Sequence, residues 1–218
     1  MIIAIDGPAG SGKSTVAKIL AQRLGFLYID TGAMYRALTL KAIEQGIDAG
    51  DVTRLVEMAR TTGINLTSRD GQLTVLLDGR NVSREIRQPR VTKLVSDVAR
   101  IRGVREVMLK LQRSLGRLSD SVLEGRDIGT VVFPDAEKKF YLDADFKERV
   151  NRRYKELKEV EPGLKSEEVA EDLKNRDTID SSREFAPLKK APDAVYIDTT
   201  PLSIEEVVER LLKEIKNS

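Results

Sequence analysis

The reading turns on the stretch Ile2-Ile3-Ala4-Ile5-Asp6-Gly7-Pro8-Ala9-Gly10-Ser11-Gly12-Lys13-Ser14-Thr15-Val16. Ile2–Asp6 is a short apolar run suited to a buried parallel strand. Residues 7–11 are rich in glycine and read as a turn. Over residues 12–24, Val16, Ile19, Leu20 and Leu24 recur on one helical face, and Gly25 stops the helix. Between strand and helix, Gly7 to Ser14 fits the pattern G-x-x-x-x-G-K-[ST]. The glycines let backbone N–H groups turn inward, and the helix N-terminus adds its dipole, so the loop is a nest for phosphate. Lys13 is predicted to reach the β- and γ-phosphates of a nucleotide, and Ser14 Oγ to ligate Mg²⁺. The pattern specifies a nucleoside triphosphate and leaves the reaction open.

Outward from this unit, strands and helices alternate. A second strand is expected over residues 26–29, then a helix over 32–45 ended by Gly46, and a helix capped by Asp51 through residue 62. Residues 64–67 and 73–77, around the polar turn Ser68-Arg69-Asp70-Gly71, read as a hairpin or small meander. Basic helices follow at about 90–101 and 104–118, with buried strands at 121–124 and 139–142. Residues 145–178 read as charged helix, 194–197 as a last strand, and 203–216 as a last helix with Ser203 and Glu206 at capping-box spacing. The pattern predicts a three-layer α/β fold with a parallel sheet core and an inserted hairpin element.

Composition narrows the chemistry. The chain has 218 residues, so one domain with an insertion is expected. Apolar residues are 40% and charged residues 33%, enough for a core and too ordered a composition for disorder throughout. No apolar run has membrane-spanning length, and the N-terminus opens as a strand and not as a basic leader, so a cytoplasmic protein without membrane partners is expected. Cys and His are both absent, which excludes disulfides, thiolate nucleophiles, zinc fingers and imidazole as general base. Net charge is +2, but residues 69–117 carry 12 Lys/Arg against 5 Asp/Glu, a local excess of 7. A solvated helical face accounts for such a run, and so does a phosphate-binding surface. A nucleotide switch or nucleic-acid module is the competing reading. That stretch holds no aromatic residue to stack on bases, so no nucleic-acid partner is expected.

Three further segments carry arginines and acids. Asp30-Thr31-Gly32-Ala33-Met34-Tyr35-Arg36 follows the second strand, and Glu124-Gly125-Arg126-Asp127-Ile128-Gly129-Thr130 follows another. Ligands of open α/β sheets lie beyond the carboxyl ends of strands, so both turns are expected near the phosphate loop. Tyr35 fits a core position as well as a site. Glu124 ends its strand as an acid able to sit near Mg²⁺ through water. Arg176-Asp177-Thr178-Ile179-Asp180-Ser181-Ser182-Arg183 closes the charged helix, with Arg176 and Asp180 at i,i+4 spacing. A chain with many arginines and no imidazole suits phosphoryl transfer to an acceptor that is already an anion. A phosphate monoester, with a second pKa near ~6, needs no base, only cations to offset repulsion. A sugar or alcohol acceptor calls for a base, which Asp30 or Asp127 could supply.

With these motifs, and with Arg84-Glu85-Ile86, Val104-Arg105-Glu106, EGRDIGTVVFPDA from Glu124 and DTTPLSIEEVV from Asp198, the chain resembles the bacterial cytidylate kinases almost end to end. These are nucleoside monophosphate kinases of the P-loop NTPase fold. The resemblance implies a core (1–61, 101–145 and 187–218), a monophosphate-binding insertion (62–100) containing a small antiparallel sheet, and a helical lid (146–186). It implies ATP and Mg²⁺ as cofactors, CMP and dCMP as substrates, and a monomer. Gly7, Pro8, Ala9, Gly10, Ser11, Gly12, Lys13, Ser14 and Thr15 would hold ATP, helped by Arg149 and Arg153, with Arg152 also in a lid position. Thr31, Arg105 and Asp127 would read the base beside Tyr35. Ser96, Arg176 and Asp180 would hold the ribose. Arg36, Arg126 and Arg183 would clamp the phosphates and, with Lys13, be catalytic. The family often has Ser at the Thr31 position and Asp at the Glu124 position.

Overall fold

The computed structural model describes residues 1–216 apart from 70, 71 and 160. Five parallel strands form the central sheet in the order β2-β6-β1-β7-β8: β1 (Ile2–Asp6), β2 (Leu27–Asp30), β6 (Ser121–Gly125), β7 (Lys138–Asp143) and β8 (Val195–Asp198). Strand periodicity sorts the side chains into two layers. Ile3, Ile5, Val122, Phe140 and Leu142 point to one face, where α1 (Lys13–Leu24) and α8 (Ile204–Lys216) pack. Ala4, Ile29 and Leu123 point to the other, against α2 (Thr31–Glu44), α4 (Pro89–Ala99) and α5 (Arg102–Gly116). The three-layer α/β architecture expected from the sequence is present.

The phosphate-loop helix buries Val16 and Leu20, as its spacing predicts, and Met34, Leu38 and Ala42 line the buried face of α2. Asp51 caps α3 (Val52–Thr61) by accepting from Arg54 N at 3.1 Å. The Ser203–Glu206 capping box opens α8, Ser203 N donating to Glu206 Oε2 at 2.8 Å. The expected hairpin is a three-stranded antiparallel sheet, β3 (Ile64–Arg69), β4 (Gln72–Leu77) and β5 (Arg80–Asn81). The predicted turn at Ser68 to Gly71 includes Asp70 and Gly71, which lie outside the described residues.

The charged segment expected over 145–178 is helical, as its composition suggests. It is two helices, α6 (Phe146–Lys158) and α7 (Ser166–Ser182). Pro162-Gly163 lies between them, and a proline after a helix cannot continue its hydrogen bonding. Val150, Val169 and Leu173 from the pair form a small separate cluster with Ala9 of the phosphate loop. The α6–α7 pair is therefore packed on the phosphate loop. Among the described residues, no helix is long and apolar enough to cross a membrane.

Candidate active site

The carboxyl ends of β1, β2 and β6 bring three loops together. β1 runs directly into the phosphate loop. Gly7, Gly10 and Gly12 have φ of 154°, 78° and 85°, and side chains would be strained there. A Cβ on Gly10 would also lie 2.9 Å from the Arg149 carbonyl, so the glycine admits the backbone of α6. Lys13 is buried, and its Nζ donates to the Pro8 carbonyl at 3.0 Å. Burial and the nearby Arg126 hold its ammonium well below the usual lysine range. Ser11 Oγ is buried without a partner. Ser14 and Thr15 lie exposed in the first turn of α1.

β2 passes into α2 without a linker. Asp30 Oδ1 accepts from Ala33 N at 2.7 Å and caps the helix, while Oδ2 accepts from Arg36 Nη2 at 3.0 Å. Thr31 Oγ1 donates to the Glu124 carbonyl at 2.6 Å. A Cβ on Gly125 would come within 2.7 Å of that hydroxyl, so only glycine leaves room for it. The Glu124 carboxyl is buried and accepts from Tyr28 Oη at 2.9 Å. Burial, and then Asp30, raise its pKa.

Beyond Gly125 the chain presents Arg126 and Asp127, then enters a π-helical turn over Ile128–Val132, a form that recurs at functional sites. Asp127 Oδ2 pairs with Arg105 Nη2 at 2.7 Å, both side chains buried, and the Arg105 guanidinium lies 5.4 Å from the Tyr35 ring centre. Tyr35 is thus both a core residue and a wall of the site. Burial raises its hydroxyl pKa to about 12.

From α7, Asp180 accepts from Arg126 Nε at 2.8 Å and from Arg183 Nη2. Burial pushes its carboxyl up, but the two guanidinium groups outweigh that and hold it below the usual range. The i,i+4 spacing of Arg176 and Asp180 does not make them a pair. Arg176 leans back toward Asp172 at 3.9 Å, because Arg126 and Arg183 take both Asp180 oxygens. Burial, and then Arg126, lower the Arg176 pKa to about 10. Ser96 is buried on α4, which packs against α7. Of the α6 arginines, Arg149 ties the helix to the Ala9 carbonyl at 3.1 Å and to Asp177 at 2.7 Å. Arg152 bonds Thr199, and Arg153 pairs with Glu156 at 2.8 Å.

One property unites this cluster. The Nε groups of Arg36, Arg105, Arg153, Arg176 and Arg183 are buried without a hydrogen-bond partner. Each such donor costs about 1–3 kcal/mol. Five buried donors of one charge call for anionic acceptors to complete them. The motifs led to Arg36, Arg176 and Arg183, and the family resemblance to Arg105 and Arg153, but neither led to Asp6 and Tyr28, which organise the loops around them.

The acidic and hydroxyl donors also suit a hard cation. Ser14 and the buried Glu124 offer oxygen atoms that could hold Mg²⁺, which characteristically takes few protein ligands beside waters and phosphates.

A parallel sheet of this order, a phosphate loop after its central strand and a second cationic site facing that loop define a P-loop kinase for an anionic acceptor. Shikimate kinase from Bacteroides thetaiotaomicron shares the fold, with a TM-score of 0.51 at 14% identity, covering 99% of this chain and 98% of that one. The family model for cytidylate kinase matches residues 3–217. A cytidylate kinase of Caldanaerobacter subterraneus subsp. tengcongensis is 53% identical over 99% of this chain and 95% of its own length. One of Solibacter usitatus is 51% identical over 100% of this chain and 93% of its own. The chain belongs to the cytidylate kinase family.

Proposed function

We propose that this protein transfers the γ-phosphoryl group of Mg²⁺-bound ATP to CMP or dCMP, giving CDP or dCDP and ADP. The set of buried, unpartnered guanidinium Nε groups opposite the phosphate loop carries the reading. An oxygen of the acceptor phosphate bonds to the γ-phosphorus as the bond to the β,γ-bridging oxygen breaks, and ADP leaves with that electron pair. The acceptor is largely a dianion at pH 7, so no base is required. Arg36, Arg126 and Arg183 supply the positive charge that lets two anions approach, and Lys13 leaves its Pro8 carbonyl for the donor phosphates. Ser14 and, through water, Glu124 would hold Mg²⁺, which would supply charge neutralisation for the donor phosphates. Ser96, Arg176 and Asp180 face the ribose. Arg149 and Arg153 hold the lid over ATP, and closure excludes water from the γ-phosphoryl group.

Hydrogen-bond polarity supports cytosine. Thr31 Oγ1 gives its proton to the Glu124 carbonyl, so it presents lone pairs to a base. Asp127 is likewise an acceptor. Both match the exocyclic amine of cytosine and oppose the carbonyl that uracil has in its place. Arg105, pinned between Asp127 and the Tyr35 ring, donates to acceptors on the base edge.

A panel of nucleoside monophosphates with ATP and Mg²⁺, followed by ADP release, tests the function. CMP and dCMP are expected to turn over fastest, with little ADP formed when no acceptor is added. Equal turnover of AMP, or transfer to a sugar acid, would overturn the assignment.

A further inference from the structure

Asp6 is the last residue of β1, the central strand, held between Gly125 of β6 and Tyr141 of β7. Its side chain is almost fully buried. Oδ1 accepts from Ile128 N and Oδ2 from Gly129 N, each at 2.8 Å. These two amides open the π-helical turn Ile128–Val132 and point away from its own hydrogen bonds, as first-turn amides do. The carboxylate therefore caps the turn from below, and Arg126 and Asp127 are the residues just before the capped amides. The far side of the turn is fastened separately. Arg113 donates to the Val132 and Val131 carbonyls at 2.8 and 2.9 Å, and Lys139 bonds the Pro134 carbonyl. The near side rests on Asp6. The next residue is Gly7, where the phosphate loop begins. One side chain thus joins the base of the donor loop to the base of the acceptor loop.

We infer that Asp6 is a positioning residue: its two backbone hydrogen bonds set where Arg126 and Asp127 stand relative to the phosphate loop, and so set both acceptor alignment and base preference. The inference rests on the function proposed above. A carboxylate suits the task because both its oxygens accept. An Asn in its place has one acceptor, and its amide would set N–H against N–H. Burial of a carboxyl is unfavourable in itself, and here burial raises its pKa to about 7 despite the two amides. Such a local penalty is consistent with a group retained for positioning and not for stability. Misplacement of reacting groups by about 1 Å can cost ~100-fold in rate, so a small drift of this turn is enough to register.

The experiment is steady-state ADP release from the full chain carrying Asp6→Asn, with CMP and UMP as acceptors. The expected result is a fall of about tenfold or more in the ratio of kcat/KM for CMP to that for UMP, with a raised KM for CMP and a KM for ATP within about twofold of wild type. A merely structural role would lower kcat through the active fraction and leave that ratio and both KM values alone. That outcome would overturn the inference. Gly129→Ala keeps Asp6 but brings a Cβ to 3.2 Å from the Lys139 side chain and 3.5 Å from Asp6 Oδ2, pressing on the same turn. It is expected to lower the ratio by about threefold or more. If Asp6→Asn does not fold, an unchanged ratio in Gly129→Ala overturns the inference. Failure of the wild-type chain to phosphorylate CMP would instead defeat the proposed function, so the two failures are distinguishable.

Discussion

Asp127→Asn is the sharpest single perturbation of the site, because it changes charge and polarity but hardly changes shape. In the folded chain Asp127 Oδ2 meets Arg105 Nη2 at 2.7 Å, with both side chains less than a tenth exposed. Breaking a buried ion pair by removing one partner costs about 3–5 kcal/mol, since the remaining charge is left uncompensated. Asn keeps one oxygen for Arg105, so the stability loss should fall below that range. Catalysis should suffer differently. A hydrogen bond from the cytosine amine to a carboxylate is worth about 1.5–3 kcal/mol, or roughly 10- to 150-fold in kcat/KM. UMP offers a carbonyl at the same place and gains a donor from the Asn amide. The CMP-to-UMP ratio of kcat/KM should therefore fall by about 100-fold or more. The ratio is independent of the fraction of active enzyme, so the stability loss cannot mimic it. Parallel assays with the two acceptors, plus a urea titration of the same preparation, read both effects. An unchanged ratio would remove Asp127 from base reading, whatever the urea titration gave.

Other consequences are equally accessible. Lys13→Ala and Arg126→Ala should each reduce kcat by about 100-fold or more with circular dichroism unchanged, because each removes a preorganised cation from the transferring group; near-normal turnover would contradict its role. Tyr28→Phe deletes the hydroxyl 2.9 Å from Glu124 and should lower stability by about 1.5–3 kcal/mol while raising the Mg²⁺ concentration for half-maximal ADP release. Asp6 gives a pH signature. Its folded pKa of about 7 exceeds its ordinary value of 3.8 because of burial, opposed by the Gly129 and Ile128 amides, raised by Asp127 and lowered by Arg126. The folded state then holds a proton that the unfolded state has released. Asp6 therefore destabilises the fold progressively as pH rises from about 4 to 7, by up to about 1.4 kcal/mol per pH unit. Urea unfolding of wild type against Asp6→Asn should show wild type losing stability relative to the variant as pH rises over that range, with the difference levelling off below the unfolded pKa, and parallel curves would refute it.

Much of this molecule is legible in its sequence because its determinants are local. The phosphate loop needs glycines at positive φ and a strand-to-helix junction, and residues 2–24 write both out in order. Helices with strong periodicity, such as those carrying Met34, Leu38 and Ala42, lie where expected to within a residue or two. The expected second strand over 26–29 begins one residue later in the fold, and the charged segment breaks at Pro162-Gly163 into two helices. What escaped depends on contacts between distant segments. Asp6 reads as an ordinary strand end, since its partners Ile128 and Gly129 lie over a hundred residues away. Tyr28 reads as a strand residue, and becomes a partner of Glu124 only because β6 pairs directly with β2. Arg149 has its strongest contacts with Ala9 and Asp177, which spacing along α6 does not reveal. The Arg126–Asp180–Arg183 arrangement was also hidden, because i,i+4 spacing favoured Arg176 as the partner of Asp180.

The central claim is that a cationic site completes itself with the phosphate of a cytidine nucleotide. A crystal structure of the protein soaked with CMP tests it directly. The account predicts phosphate oxygens within hydrogen-bonding distance of Arg36, Arg126 and Arg183, with the exocyclic amine directed at Thr31 Oγ1 and Asp127. A nucleotide seated elsewhere, with Arg36, Arg126 and Arg183 keeping only their Asp30 and Asp180 side-chain partners, would contradict it.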